Sequence, residues 1–113
     1  MDLATGRRRV EDAAPGKLVV ANSLMGIGNV LLGMGKHEEA LVQYQKALEV
    51  FLAVHGQEHL VSVAMSYFNM GLVYRSLGKA EEAREMFTKA YSIFLKVLGP
   101  DHPQTQQAKS QVD

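Results

Sequence analysis

Gly35-Lys36-His37-Glu38-Glu39-Ala40 reappears as Gly78-Lys79-Ala80-Glu81-Glu82-Ala83, and the reading of this pair decides the fold. From 35 to 78 the offset is 43 residues. The same offset carries Tyr44 to Phe87, Ala47 to Ala90, Phe51 to Phe94, Val54 to Val97, Gly56 to Gly99 and His59 to His102. Upstream it carries Val20 to Val63, Ala21 to Ala64, Ser23 to Ser66, Gly28 to Gly71 and Val30 to Val73. Matches on this scale at one spacing are a tandem duplication, in which neighbouring units bury each other's apolar faces.

Each copy reads as two helices. In the second copy Tyr67, Met70, Gly71 and Tyr74 recur at steps of three, one and three, on one helical face. Leu77-Gly78-Lys79 breaks that pattern, Gly78 being suited to the left-handed residue that ends a helix. The next helix places Ala83, Phe87, Ala90 and Phe94 at steps of four, three and four. Its other side carries Glu81, Glu82, Arg84, Glu85, Lys89 and Lys96, a solvated face on which Glu85 and Lys89 stand at the favourable i, i+4 spacing. The alanines let two helices approach, and Phe87 fills the gap between them.

On these residues the chain resembles the tetratricopeptide repeat family. That pattern sets an aromatic, Leu-Gly and Tyr on a first helix, then Ala, an aromatic and Ala on a second. Copy two resembles it at Tyr67, Met70-Gly71, Tyr74, Ala83, Phe87 and Ala90; copy one at Leu24, Ile27-Gly28, Leu31, Ala40, Tyr44 and Ala47. The usual closing proline is replaced by Leu52 and Leu95, and the period of roughly 34 has grown to 43. The second helix of each copy is therefore expected to run to about His55 and Leu98. With Leu98-Gly99-Pro100-Asp101-His102-Pro103-Gln104-Thr105 following, this long form looks like the kinesin light chain subgroup. The resemblance implies an all-α fold, a right-handed α-α superhelix of two repeats plus a C-terminal capping helix.

The expected organisation is a flexible leader at 1–16, a first repeat at 17–56, a second at 59–99 and the capping helix at 101–113. The leader holds Arg7-Arg8-Arg9, read as a solvated charge cluster, and Pro15 or Gly16 stands near the start of the first helix. At the other end Asp101 is the expected N-cap, with Pro103 in the first turn and Gln104 completing a capping box. The helix from Gln104 to Val112 is almost wholly polar, with Ala108 and Val112 as a thin apolar edge, suited to closing a solenoid.

Composition narrows the function. In 113 residues, 12 Lys and Arg balance 12 Asp and Glu, whereas a nucleic-acid binder needs a basic surface to displace counterions. The absence of cysteine removes disulfides, thiolate metal sites and cysteine nucleophiles, and points to a cytoplasmic, reducing setting. No apolar run approaches the roughly 20 residues that span a bilayer, so no membrane partner is expected. Gly33-Met34-Gly35-Lys36 lacks the preceding glycine, Ser/Thr and strand of a phosphate loop. His55 and His59 have a metal-ligand spacing, but Gly56 between them is expected to end the helix. No motif places an acid–base pair or an activated serine. No catalytic, cofactor or metal site, and no enzyme, is expected.

What remains is the inner face of the first helices. In the second repeat it carries Met65, Phe68, Asn69, Leu72 and Arg75; in the first, Asn22, Met25, Asn29 and Leu32. An apolar stripe studded with amides suits a protein or peptide ligand, burying its side chains and pairing its backbone. Asn29 and Asn69 match positions where tetratricopeptide domains clamp a C-terminal carboxylate. Met25 stands in place of the lysine of that clamp, and the third-repeat positions read as Ala108 and Val112, so the cations are missing. The expected function is a protein-interaction module or scaffold that holds a peptide in the concave groove. The alternatives are a self-associating homo-oligomeric unit or a repeat fragment of a larger protein.

Overall fold

The computed structural model describes residues 15–54 and 59–113. Arg7, Arg8 and Arg9 of the leader, and His55 with Gly56, lie outside the described residues. The described residues form five helices and no strand: α1 Pro15–Gly33, α2 His37–Ala53, α3 Leu60–Ser76, α4 Ala80–Leu98 and α5 Pro103–Val112. The all-α expectation holds, with two helix pairs followed by the cap. Among the described residues no helix is long and apolar enough to cross a membrane.

The turns inside the two repeats are the same structure built twice. Gly35 and Gly78 adopt φ of 81° and 78°, a left-handed conformation that costs a residue with a Cβ about 1–2 kcal/mol. In the first turn Lys36 N–H donates to Leu31 C=O at 2.9 Å and Gly35 N–H to Leu32 C=O at 3.0 Å. In the second, Lys79 N–H donates to Tyr74 C=O at 2.9 Å and Gly78 N–H to Arg75 C=O at 3.0 Å. This pair of crossed bonds satisfies carbonyls that a helix end would otherwise leave bare. The helices that follow lack a side-chain cap, but Glu38-Glu39 and Glu81-Glu82 lie in their first turns, where negative charge meets the positive end of the helix dipole.

Packing follows the sequence periodicity. Ala40, Tyr44, Ala47 and Phe51 of α2 and Ala83, Phe87, Ala90 and Phe94 of α4 are all buried. A first core joins the α2 set to Ala21 and Met25 of α1 and Val63, Met70 and Val73 of α3. A second joins Ala64 of α3, Ala90 and Phe94 of α4 and Ala108 of α5, and Tyr67 packs against both. The aromatic in each second helix lies on a glycine of the first. A Cβ at Gly28 would stand 2.7 Å from the Tyr44 ring, and one at Gly71 2.7 Å from the Phe87 ring. Nothing larger fits there.

Three local expectations are corrected. The α2 helix stops at Ala53, short of His55, because Val54 turns to extended backbone at φ −93° and ψ 131°. The N-cap of α5 is His102 rather than Asp101: His102 is the last extended residue, and its Nδ1 accepts from Gln104 N–H at 3.1 Å. Lys89 holds its ammonium 5.4 Å from the Tyr67 ring centroid, a cation–π contact, instead of turning to Glu85.

The register of α5 also differs. His59 and His102 are 43 apart, yet the buried residues of α5, Thr105 and Ala108, align with buried Val63 and Ser66 at an offset of 42. The slip of one residue falls between the histidine and the helix face. Thr105 thereby takes a valine's place, and its hydroxyl is buried with no hydrogen-bond partner among the described residues.

Urea unfolding tests these contacts. Gly71→Ala should lose about 1–3 kcal/mol to overpacking against Phe87, despite alanine's better helix propensity. Gly26→Ala, whose Cβ meets open space, should instead gain up to about 1 kcal/mol. Thr105→Val, which removes an orphaned hydroxyl without changing the shape, should raise stability by about 1 kcal/mol.

Candidate functional site

Helices α1, α3 and α5 stand side by side on the inner side of the stack, joined by side chains. Asn69 Nδ2 of α3 donates to Asn29 Oδ1 of α1 at 3.5 Å, and the Arg75 guanidinium of α3 donates to Gln111 Oε1 of α5. The expected inner-face residues divide into three groups along this row.

Met65, Phe68 and Asn69 come together. With Phe94 of α4 and Gln104 and Gln107 of α5 they line a cavity of about 190 Å³ between α3 and α5. Its walls are apolar apart from three amides, and no charged side chain among the described residues lines it. Phe68 is half-buried and makes a T-shaped contact with Phe87, ring centroids 5.2 Å apart. A carboxamide offers a donor and an acceptor side by side, matching the N–H and C=O of a peptide backbone.

Arg75 belongs to the same crevice farther along. It lines a second cavity, of about 380 Å³, with Arg84, Glu81, Ala80, Ala83, Phe87 and Gln111. Its guanidinium lies 5.8 Å from the Phe87 ring centroid while bonding Gln111, so a long flexible side chain is held in place by a ring below and an amide beside it. Leu72 is half-buried between these two sites on α3.

The first-repeat residues behave differently. Asn22 is exposed. Asn29 is exposed, but its Oδ1 accepts from the Tyr44 hydroxyl at 2.5 Å as well as from Asn69, so that oxygen is engaged within the fold. Leu32 is half-buried against the first core. Met25 is not on the groove surface. It is buried between α1 and α3, where Ser66 Oγ donates to its Sδ at 3.2 Å. The single-helix pattern puts Met25 one repeat behind Phe68, but α1 must pack against both α2 and α3, and Met25 fills the second contact.

Phe94, Gln104, Gln107 and Gln111 line the crevice without being singled out by the sequence pattern. For Gln107 and Gln111 the signal lies in the offset of 42, which sets Gln107 opposite Met65 and Gln111 opposite Asn69 in the repeat. Read at 43, the same positions fall on Ala108, which is buried, and Val112. His59, one of the two histidines at metal-ligand spacing, is buried at the start of α3, and no cluster of three or more metal-binding side chains occurs among the described residues.

A family model described as Tetratricopeptide repeat matches residues 19–96, and a second, overlapping match covers 62–109. The chain belongs to the tetratricopeptide repeat family, whose repeats generally mediate protein–protein interaction. No match was found among curated proteins.

Tyr44 ties the core to the groove and is testable on its own. Burial pushes its hydroxyl above the usual tyrosine range. The native state thus favours the neutral phenol, a contribution complete below about pH 10 and lost as pH rises towards the higher native value. Tyr44→Phe should cost about 1 kcal/mol at neutral pH through the lost hydrogen bond. Above about pH 10 its stability should fall less steeply than that of the wild type, as read by urea midpoints across a pH series.

Proposed function

We propose that this chain is a non-catalytic interaction module, a scaffold of the kinesin light chain-like kind, that binds an extended segment of a partner protein in the crevice between α3 and α5. One observation carries the reading: Met65, Phe68 and Phe94 form an apolar seat rimmed by the amides of Asn69, Gln104 and Gln107. An aliphatic side chain of the partner would fill the seat, releasing water from apolar surface, while the amides take up its backbone groups.

The second cavity supplies a further requirement. From Met65 to Arg75 the helix rises about 15 Å, which an extended chain covers in about four or five residues. There Arg75 and Arg84 supply positive charge against the single Glu81. The preferred segment is therefore an aliphatic residue followed or preceded, at that spacing, by an acidic one. A doubly charged C-terminal carboxylate is disfavoured in the first cavity, where three amides and no cation would have to replace its hydration. A chain without cysteine suits a cytoplasmic setting, where partner segments of this kind are met under reducing conditions.

A displayed library of short random peptides selects the ligand directly, whatever the partner. Selected peptides should share an aliphatic residue and an acidic residue about four or five apart. Met65→Asp together with Asn69→Ala should weaken their binding at least about tenfold by calorimetry, and Arg75→Glu should weaken the acidic peptides more than their amide analogues. Peptides that bind the variants as well as the wild type would remove the crevice from consideration.

A further inference from the structure

Carried back by the repeat offset of 43, the buried face of α3 lands on a face of α1 that nothing among the described residues covers. Val63, Met70 and Val73 are 3%, 5% and 0% exposed, because Ala47 and Phe51 of α2 join them in the first core. Their counterparts Val20, Ile27 and Val30 are 52%, 48% and 63% exposed, and Met34 extends the row at 59%. Steps of seven, three and four set these four on one side of the helix. A helix face turned to water ordinarily carries charge, as α4 does through Glu81, Arg84, Glu85 and Lys89. On α1 the only charged residue is Lys17, near its start. The same residue types at the same repeat positions are a packing surface in the second copy and an open apolar surface in the first.

We propose that this stripe pairs with the same stripe of a second copy of the chain, α1 against α1 about a two-fold axis. Repeat equivalence makes it the counterpart of the α3 face that packs against α2, a face of a kind that receives a helix. Lacking charge, it can face itself without like-charge repulsion, and an antiparallel pairing of the two α1 helices opposes their dipoles. Among the described residues α5 offers no matching face, since it turns Gln106, Lys109 and Ser110 outward. Head-to-tail stacking would bury those polar groups without partners, whereas the face-to-face pair closes on itself. A 19-residue helix is about 28 Å long and offers a strip about 10 Å wide, well below the roughly 800 Å² per partner of a standard interface. The pair is accordingly weak, with a dissociation constant of roughly 10 to 500 µM.

Sedimentation equilibrium of the full chain from about 5 to 500 µM should show a reversible monomer–dimer equilibrium. Val30→Asp should raise the dissociation constant at least about tenfold, because dimerisation would then bury a carboxylate, while Leu95→Asp on the exposed side of α4 leaves it unchanged. Circular dichroism on both variants checks that the monomer keeps its helices. The chain has no cysteine, so Gly26→Cys, where a Cβ meets open space beside the middle of the stripe, introduces the sole thiol. Mild oxidation should link this variant into a covalent dimer, and should not link Lys96→Cys. A monomer throughout the concentration range overturns the proposal, and so does a dimer that Val30→Asp leaves intact.

Discussion

Gly28 and Gly71 lack side chains where Tyr44 and Phe87 need room, and the spacing of the stack depends on that contact. A ring seated directly on the backbone of the neighbouring helix, with 2.7 Å left for any Cβ, draws the two helices of a repeat together. The aromatic then reaches through the repeat towards its inner side. In the first repeat it delivers a hydroxyl, which holds Asn29. In the second it delivers a bare ring, with which Phe68 makes a T-shaped contact and beside which Arg75 places its guanidinium. A single exchange at one repeat position, Tyr for Phe, thus makes the inner face polar and engaged on one side, and aromatic on the other.

Much of this is legible in the sequence because a duplication reports the same physics twice. The glycine turns and the Ala-aromatic-Ala-aromatic face appear in both copies, and each is a local rule acting on a few neighbouring residues. Helix α1 is harder to read. It is apolar or uncharged nearly all the way round, so periodicity alone does not divide its face towards α2 from its face towards α3, and Met25 falls in with the groove residues although it is buried. The cap of α5 differs by one residue from the sequence expectation, since Asp101 and His102 both have side chains able to accept a backbone N–H. The same single-residue ambiguity moves Ala108 and Val112 into the places that belong to Gln107 and Gln111. The glutamine wall becomes visible only once the burial of Thr105 and Ala108 sets the register.

That wall has a thermodynamic character of its own. Helix α5 has ten residues, fewer than the roughly 12–15 at which isolated helices become even marginal in water, and among its side chains only Thr105 and Ala108 are buried. It is helical because it is docked, through buried Thr105 and Ala108 and the bond from Arg75 to Gln111, with the Thr105 hydroxyl left unpaired among the described residues. The opposite wall, α3, is clamped between both cores. The crevice thus has one side, α3, packed into both cores and another, α5, with only two buried side chains. A ligand touching both sides would, by mass action, stabilise the docked position of α5. The seating of the capping helix would then be coupled to the affinity of that ligand.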